Sequence, residues 1–162
     1  MADKLKIQKP SLYNYFDGLP GLQRKLALAG TRELRDALLR AGMGHAGDDA
    51  VFALANEFRA FIHAHPGVYA VMMRASRNRK PIDKELGAAE GEIVDLVVAA
   101  MRAYRLQGDD MLHAVRGFRS FVHGFASLEN AGGFGLALDL DESFRRLTQM
   151  FIQGIRAENK KA

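Results

Sequence analysis

Apolar residues recur three and four positions apart along nearly the whole chain, and no stretch alternates with period two for long. That pattern predicts an all-α protein, because a helix gathers i, i+3 and i+4 on one face whereas a strand alternates. Residues 2–6 read as the tail of a helix. A short helix follows over about 9–16, with Gln8 placed to cap it and Pro10 in the tolerated first turn, and "DGLPG" ends it. Leu22, Leu26, Leu34, Leu38 and Leu39 supply the stripe of a long helix over about 19–43, broken by "GMGHAG". Asp48 or Asp49 is expected to cap a helix reaching Ala64, which "HPG" stops. A short helix over 68–75 leads into the basic loop "SRNRKP", and another covers 82–104. Asp109 or Asp110 starts a helix reaching Ala131. Asp141 opens the last one, with Phe144, Leu147, Phe151 and Ile155 on one face.

The last two helices carry more apolar surface than one stripe needs. Met111, Val115, Phe118, Val122 and Phe125 form one set, and Phe121 and Leu128 form another beside Gly117 and Gly124. Met150 and Ile152 add to the final helix in the same way. Glycines let a neighbouring helix come close, at a cost of about 1 kcal/mol of helix propensity each. A wholly internal place in a bundle is one reading. The other is a homodimer interface built from Gly117, Phe121, Gly124, Leu128, Phe144, Leu147, Phe151 and Ile155, since large apolar excess marks interfaces.

Composition narrows the class without naming it. The 162 residues, 48% apolar and 26% charged, make one domain or one with a small appendage, long enough to bury a core unaided. The chain has no cysteine, so disulfides, thiolate chemistry and Cys-based metal sites are excluded. A net charge of +4 permits contact with nucleic acid, but the position of the charges matters more than their sum. No apolar run approaches a membrane span, and the N-terminus has no secretory h-region, so a cytoplasmic protein with no membrane partner is expected.

Catalytic constellations are not legible. Asp83, Glu85, Glu90, Glu92 and Asp95 fall on one helix and read as a solvated face. Ser76 and Ser120 have no evident base, and no glycine-rich phosphate loop follows a strand. His63 and His65, two apart on a helix end, share no face and make a poor metal pair; His45 lies in a glycine-rich loop and His113 near a helix start. His123 sits mid-helix beside Gly124 among phenylalanines. It is either a hydrogen-bonded structural histidine or one that faces a ligand or an interface. The expectation is a non-enzyme with no catalytic residues, metal or cofactor.

"ADKLKIQKPSLYNYFDGLPGLQRKLALAGTRELRDALL" resembles the second half of the DNA-binding domain of TetR-type transcriptional regulators. Leu5-Lys6-Ile7 matches that family's turn, with Lys6 where glycine is usual, and Ser11-Leu12-Tyr13-Asn14-Tyr15-Phe16 matches its recognition helix. "FRSFVHGFASLENAGGFGLALDLDESFRRLTQMFIQGI" resembles the C-terminal domain subgroup named for a Trp-His-Gly motif, with Val122-His123-Gly124 at the motif. In a helix-turn-helix the second helix lies in the major groove. Leu12 and Phe16 share a face and should pack inward, which leaves Lys9, Ser11, Tyr13, Asn14 and Tyr15 for DNA. Lys9 and the tyrosine hydroxyls suit phosphates, Asn14 an adenine edge, and Ser11 either.

The resemblance implies an incomplete helix-turn-helix over 1–18, a connecting helix over 19–43, and a ligand-binding, dimerising bundle over 44–162. The first helix of the DNA-binding domain and much of the second fall before this start. The expectation is therefore a chain cut within that domain, by a misplaced start or a real truncation. Its partners would be a double-stranded DNA operator, a small hydrophobic effector and a second copy of itself. The effector pocket would be lined by Phe58, Phe61, Ile62, Tyr69, Met72, Met73, Phe118 and Phe125. Mostly apolar walls and adaptable methionines suit such a site, although the same residues also suit an ordinary core. Two functions follow: a ligand-responsive repressor of a pseudo-palindromic operator, or a ligand-binding or dimerisation module that has lost DNA binding.

Overall fold

Helix α1 (Gly18–Gly42) is the longest of six α-helices in the computed structural model, which describes residues 18–77 and 83–159. The expected DNA-contacting residues Lys9, Ser11, Tyr13, Asn14 and Tyr15 lie outside the described residues. After α1 come α2 (Gly47–Ala64), α3 (Pro66–Arg77) and α4 (Lys84–Met101), which ends in a single 3₁₀ turn at Arg102–Tyr104. Helices α5 (Gly108–Asn130) and α6 (Leu140–Asn159) complete the bundle. No strand occurs among the described residues, so the chain is all-α as its periodicity predicts.

Helix α2 is the axis of the fold and packs against each of the other five helices. Its apolar residues cover more than one face, with Val51, Leu54, Ala55, Phe58, Phe61 and Ile62 all buried. A helix apolar on several sides is stable only when surrounded. Helix α1 lies across α2, α3 and α4, burying Ala27, Leu28, Leu34 and Leu38. It comes closest to α3 at Gly30, where an added Cβ would collide with Val68 and lie 3.0 Å from Met72 Sδ.

Helix starts differ from the expected capping. Asp48 and Asp49 sit inside the first turn of α2, whose N-cap is Ala46 with no side-chain bond. Asp109 and Asp110 occupy the first turn of α5 behind Gln107 in the same way. These acids favour the helix through its positive end rather than by capping a donor. The true side-chain caps are Asp83, accepting from Leu86 N at 3.1 Å, and Asp139, accepting from Glu142 N at 2.8 Å.

The helices expected to dimerise place only part of their apolar excess outward. Phe144 and Ile155 are 1% and 6% exposed within a single chain, so they belong to its own core. A Cβ on Gly117 would lie 3.1 Å from Phe151 Cε2, so this glycine admits Phe151 between α5 and α6. Phe121 stacks between Phe144 and Phe151, with ring centroids 6.0 and 4.9 Å away. Leu128 and Met150, by contrast, are 50% and 64% exposed, and a Cβ on Gly124 would meet nothing within 4 Å.

Candidate functional site

A cavity of about 70 Å³ lies where α1, α2, α3, α4 and α5 converge, with Leu34, Phe58, Met72, Val97, Val115 and Phe118 among its walls. The walls are mainly aliphatic, aromatic and thioether. Thr31 is the polar residue of α1 in the lining, and its hydroxyl already donates to Ala27 O at 2.8 Å. Glu90 stands at the α4 side.

Beside the cavity, between α3 and the second half of α5, runs a cleft of about 580 Å³. Its chemistry is different: Arg74, Arg119, His123, Ser127 and Asn130 line it together with Ile62, Pro66 and Ala70. Tyr69, Met73 and Arg119 border both spaces and form the partition between them. The Tyr69 hydroxyl lies 3.0 Å from His123 Nδ1, and Ser127 Oγ lies 3.3 Å from the same nitrogen. Burial pushes the Tyr69 phenol up to about 12, against the pull of the Arg119 charge, so the ring stays neutral. Arg119 approaches Met73 Sδ at 3.7 Å.

The walls are held by charge pairs on both sides. Arg24 of α1 pairs with Asp83 and with Glu85, the latter at 3.0 Å. Arg32 reaches Glu85 at 2.9 Å and Arg35 reaches Glu92 at 2.5 Å. The Arg24 guanidinium holds the Asp83 and Glu85 carboxyls below their usual range. Three of the five acids expected to face solvent are therefore half of a ladder clasping α1 to α4. On the opposite side Arg59 of α2 grips Glu129 of α5 through bonds of 2.8 and 2.6 Å, and reaches Asp141 at 2.8 Å. Its guanidinium also lies over the rings of Phe125 and Phe144, 5.3 and 4.9 Å from their centroids. His63 Nε2 meets the same Glu129 at 2.6 Å. No cluster of potential metal ligands forms among the described residues.

The family profile described as "Tetracyclin repressor-like, C-terminal domain" matches residues 51–151, which is most of α2 through to the middle of α6. The chain belongs to this tetracycline-repressor-like family. An uncharacterized HTH-type transcriptional regulator of Mycobacterium tuberculosis is 35% identical over 132 residues, 82% of this chain and 60% of that protein. A second uncharacterized HTH-type transcriptional regulator, from Bacillus subtilis, is 29% identical over 161 residues, 99% of this chain and 82% of that protein. The chain thus spans about 60% of the length of the mycobacterial regulator. A protein of unknown function from Rhodococcus sp. RHA1 shares the fold, with TM-score 0.76 at 23% identity, over 86% of this chain and 75% of its own. No helix among the described residues is long and apolar enough to cross a membrane.

Within this tetracycline-repressor-like domain the residues expected to line a pocket divide. Phe58, Tyr69, Met72, Met73 and Phe118 border the inner cavity, and Ile62 borders the outer cleft. Phe61 and Phe125 border neither. Phe61 packs on His65 with centroids 5.0 Å apart, and Phe125 stacks between Phe134 and Phe144 at 4.8 and 5.1 Å. Sequence reasoning missed Thr31 and Leu34 of α1, Ile93, Val94 and Val97 of α4, and both arginines of the cleft. The α4 residues could have been found from their three- and four-residue spacing (93, 97 and 94, 97), which gives that helix an apolar face toward the bundle.

Proposed function

We propose that this chain is the effector-binding and dimerising part of a cytoplasmic, ligand-responsive transcriptional repressor that grips a pseudo-palindromic operator as a homodimer. The observation that carries the reading is that α1 itself walls the cavity. Thr31 and Leu34 contribute to the lining, and in sequence the same helix directly follows the 9–16 stretch that resembles a recognition helix. A small hydrophobic effector in the cavity would press on α1, α3, α4 and α5 together. It can act on DNA only by binding one spacing of the two recognition helices better than the other. The pair of copies would meet through the outward parts of α5 and α6, around Gly124, Leu128 and Met150.

Selection of binding sequences from random duplexes, by the regulator that carries this domain behind a complete helix-turn-helix, tests this reading. A pseudo-palindrome with half-sites about one helical turn apart is the expected product. Recovery of no common sequence, at low salt and at physiological salt, would refute it.

A further inference from the structure

The two adjoining spaces have opposite chemistry, and that difference carries information about the ligand. Resting on the reading of the cavity as an effector site, we propose that the effector is an amphipathic carboxylate, its short apolar tail in the inner cavity and its head in the outer cleft. The cleft presents two guanidiniums, Arg74 and Arg119, with the Tyr69, Ser127 and Asn130 side chains as neutral hydrogen-bonding groups. None of its ten lining residues is acidic. Among the described residues neither Arg74 nor Arg119 has an ion-pair partner, a state shared with Arg40, Arg102, Arg105 and Arg116, but of these only Arg74 and Arg119 line the cleft.

Arg119 is the cation that borders both spaces, so a head bound to it sits at the mouth of the apolar cavity. A single planar guanidinium there matches a singly charged planar carboxylate, which it can hold through two parallel N–H···O bonds. Orientation follows from the walls: the cavity is lined mainly by aliphatic, aromatic and thioether side chains, which suit the tail, and the cleft by arginines, which suit the head. Size follows from volume. A cavity of about 70 Å³ is roughly half the volume that accepts a benzene ring, which favours a short or slender tail. Met72 and Met73 in its walls can move to admit a longer one.

Isothermal titration calorimetry at neutral pH with straight-chain carboxylates from butyrate to decanoate, and with the primary alcohols of the same lengths, tests the assignment. At least one carboxylate is expected to bind about tenfold tighter than its alcohol, the order of a charge-assisted pair over a neutral one. Arg119→Gln, a change at an exposed side chain, should erase that preference, so that each carboxylate binds no tighter than its own alcohol. Val94→Phe, at a half-exposed wall residue, should shift the preferred chain length downward. Equal binding of carboxylates and alcohols would overturn the proposal while leaving an apolar effector site. Failure of both series to bind would overturn it together with the effector reading beneath it.

Discussion

The hydroxyl of Tyr69 lies 3.0 Å from Nδ1 of His123, joining α3 to α5 across the floor of the cleft. Tyr69→Phe removes that bond while Ser127 keeps its own contact with the ring nitrogen at 3.3 Å. The expected loss is about 1 kcal/mol, the usual net worth of one hydrogen bond, read as a lower urea midpoint with unchanged slope. The phenol also predicts a pH effect. Its folded pKa of about 12 lies above the ordinary value of 10, so its contribution is full below pH 10 and is lost as pH rises to 12. The alkaline decline in stability should be shallower in Tyr69→Phe than in the wild type. Identical declines would contradict the burial argument.

Gly30 determines how closely α1 can approach α3. A methyl there meets Val68 and Met72, and Met72 is also a wall of the cavity. Gly30→Ala should therefore destabilise the fold by about 1–3 kcal/mol through overpacking, despite the better helix propensity of alanine. Thermal unfolding checks the sign: a raised midpoint would show that the two helices separate freely.

Glu129 is held below the usual carboxylate range first by the Arg59 guanidinium, with His63 adding to it. A depressed folded pKa contributes stability above the ordinary carboxylate value, about 4.5, and loses it as pH falls further. The Arg59 and Glu129 side chains are 13% and 14% exposed, so solvent still reaches part of the pair. Glu129→Gln should cost about 2 kcal/mol at neutral pH, less than a fully buried pair would. It should also flatten the acid limb of the stability profile, measured by denaturation from pH 7 down to 3.

Leu112 and Leu128 of α5 and Met150 of α6 are the large apolar side chains of these helices that the single chain leaves mostly exposed, and Gly124, one turn before Leu128, has open space before it. Leu128→Arg is expected to convert dimer to monomer in sedimentation experiments, because a charge would be buried unpaired at the contact. Phe144→Ala should instead lower stability by about 3–5 kcal/mol, as truncation of a core aromatic does. A Leu128→Arg protein that stays dimeric would place the interface elsewhere.

What the sequence revealed and what it hid separate along physical lines. Periodicity within one helix is a local property, so each of the six α-helices was legible, with ends off by a few residues. The arginine ladder was not. Arg24, Arg32 and Arg35 meet acids more than fifty positions away, and the period of either helix alone shows only a charged face. The interface prediction mixed two populations for a similar reason. Phe144 and Leu128 look alike on a helical wheel, and only the packing of α6 into the groove between α2 and α5 separates core from surface. At the cavity, Phe58, Tyr69, Met72, Met73 and Phe118 were visible as large apolar residues, while Arg119 was not, because a lone arginine on a helix gives no sign of which space it borders.

The most direct test is a DNA-binding titration of the regulator that carries this domain behind a complete helix-turn-helix, using the operator recovered by selection, with and without a compound that raises the thermal midpoint of the domain. Sequence-specific binding is expected to weaken about tenfold or more when the compound is saturating, within the usual range of allosteric coupling. Operator affinity that is unchanged by a compound shown to occupy the cavity would contradict it.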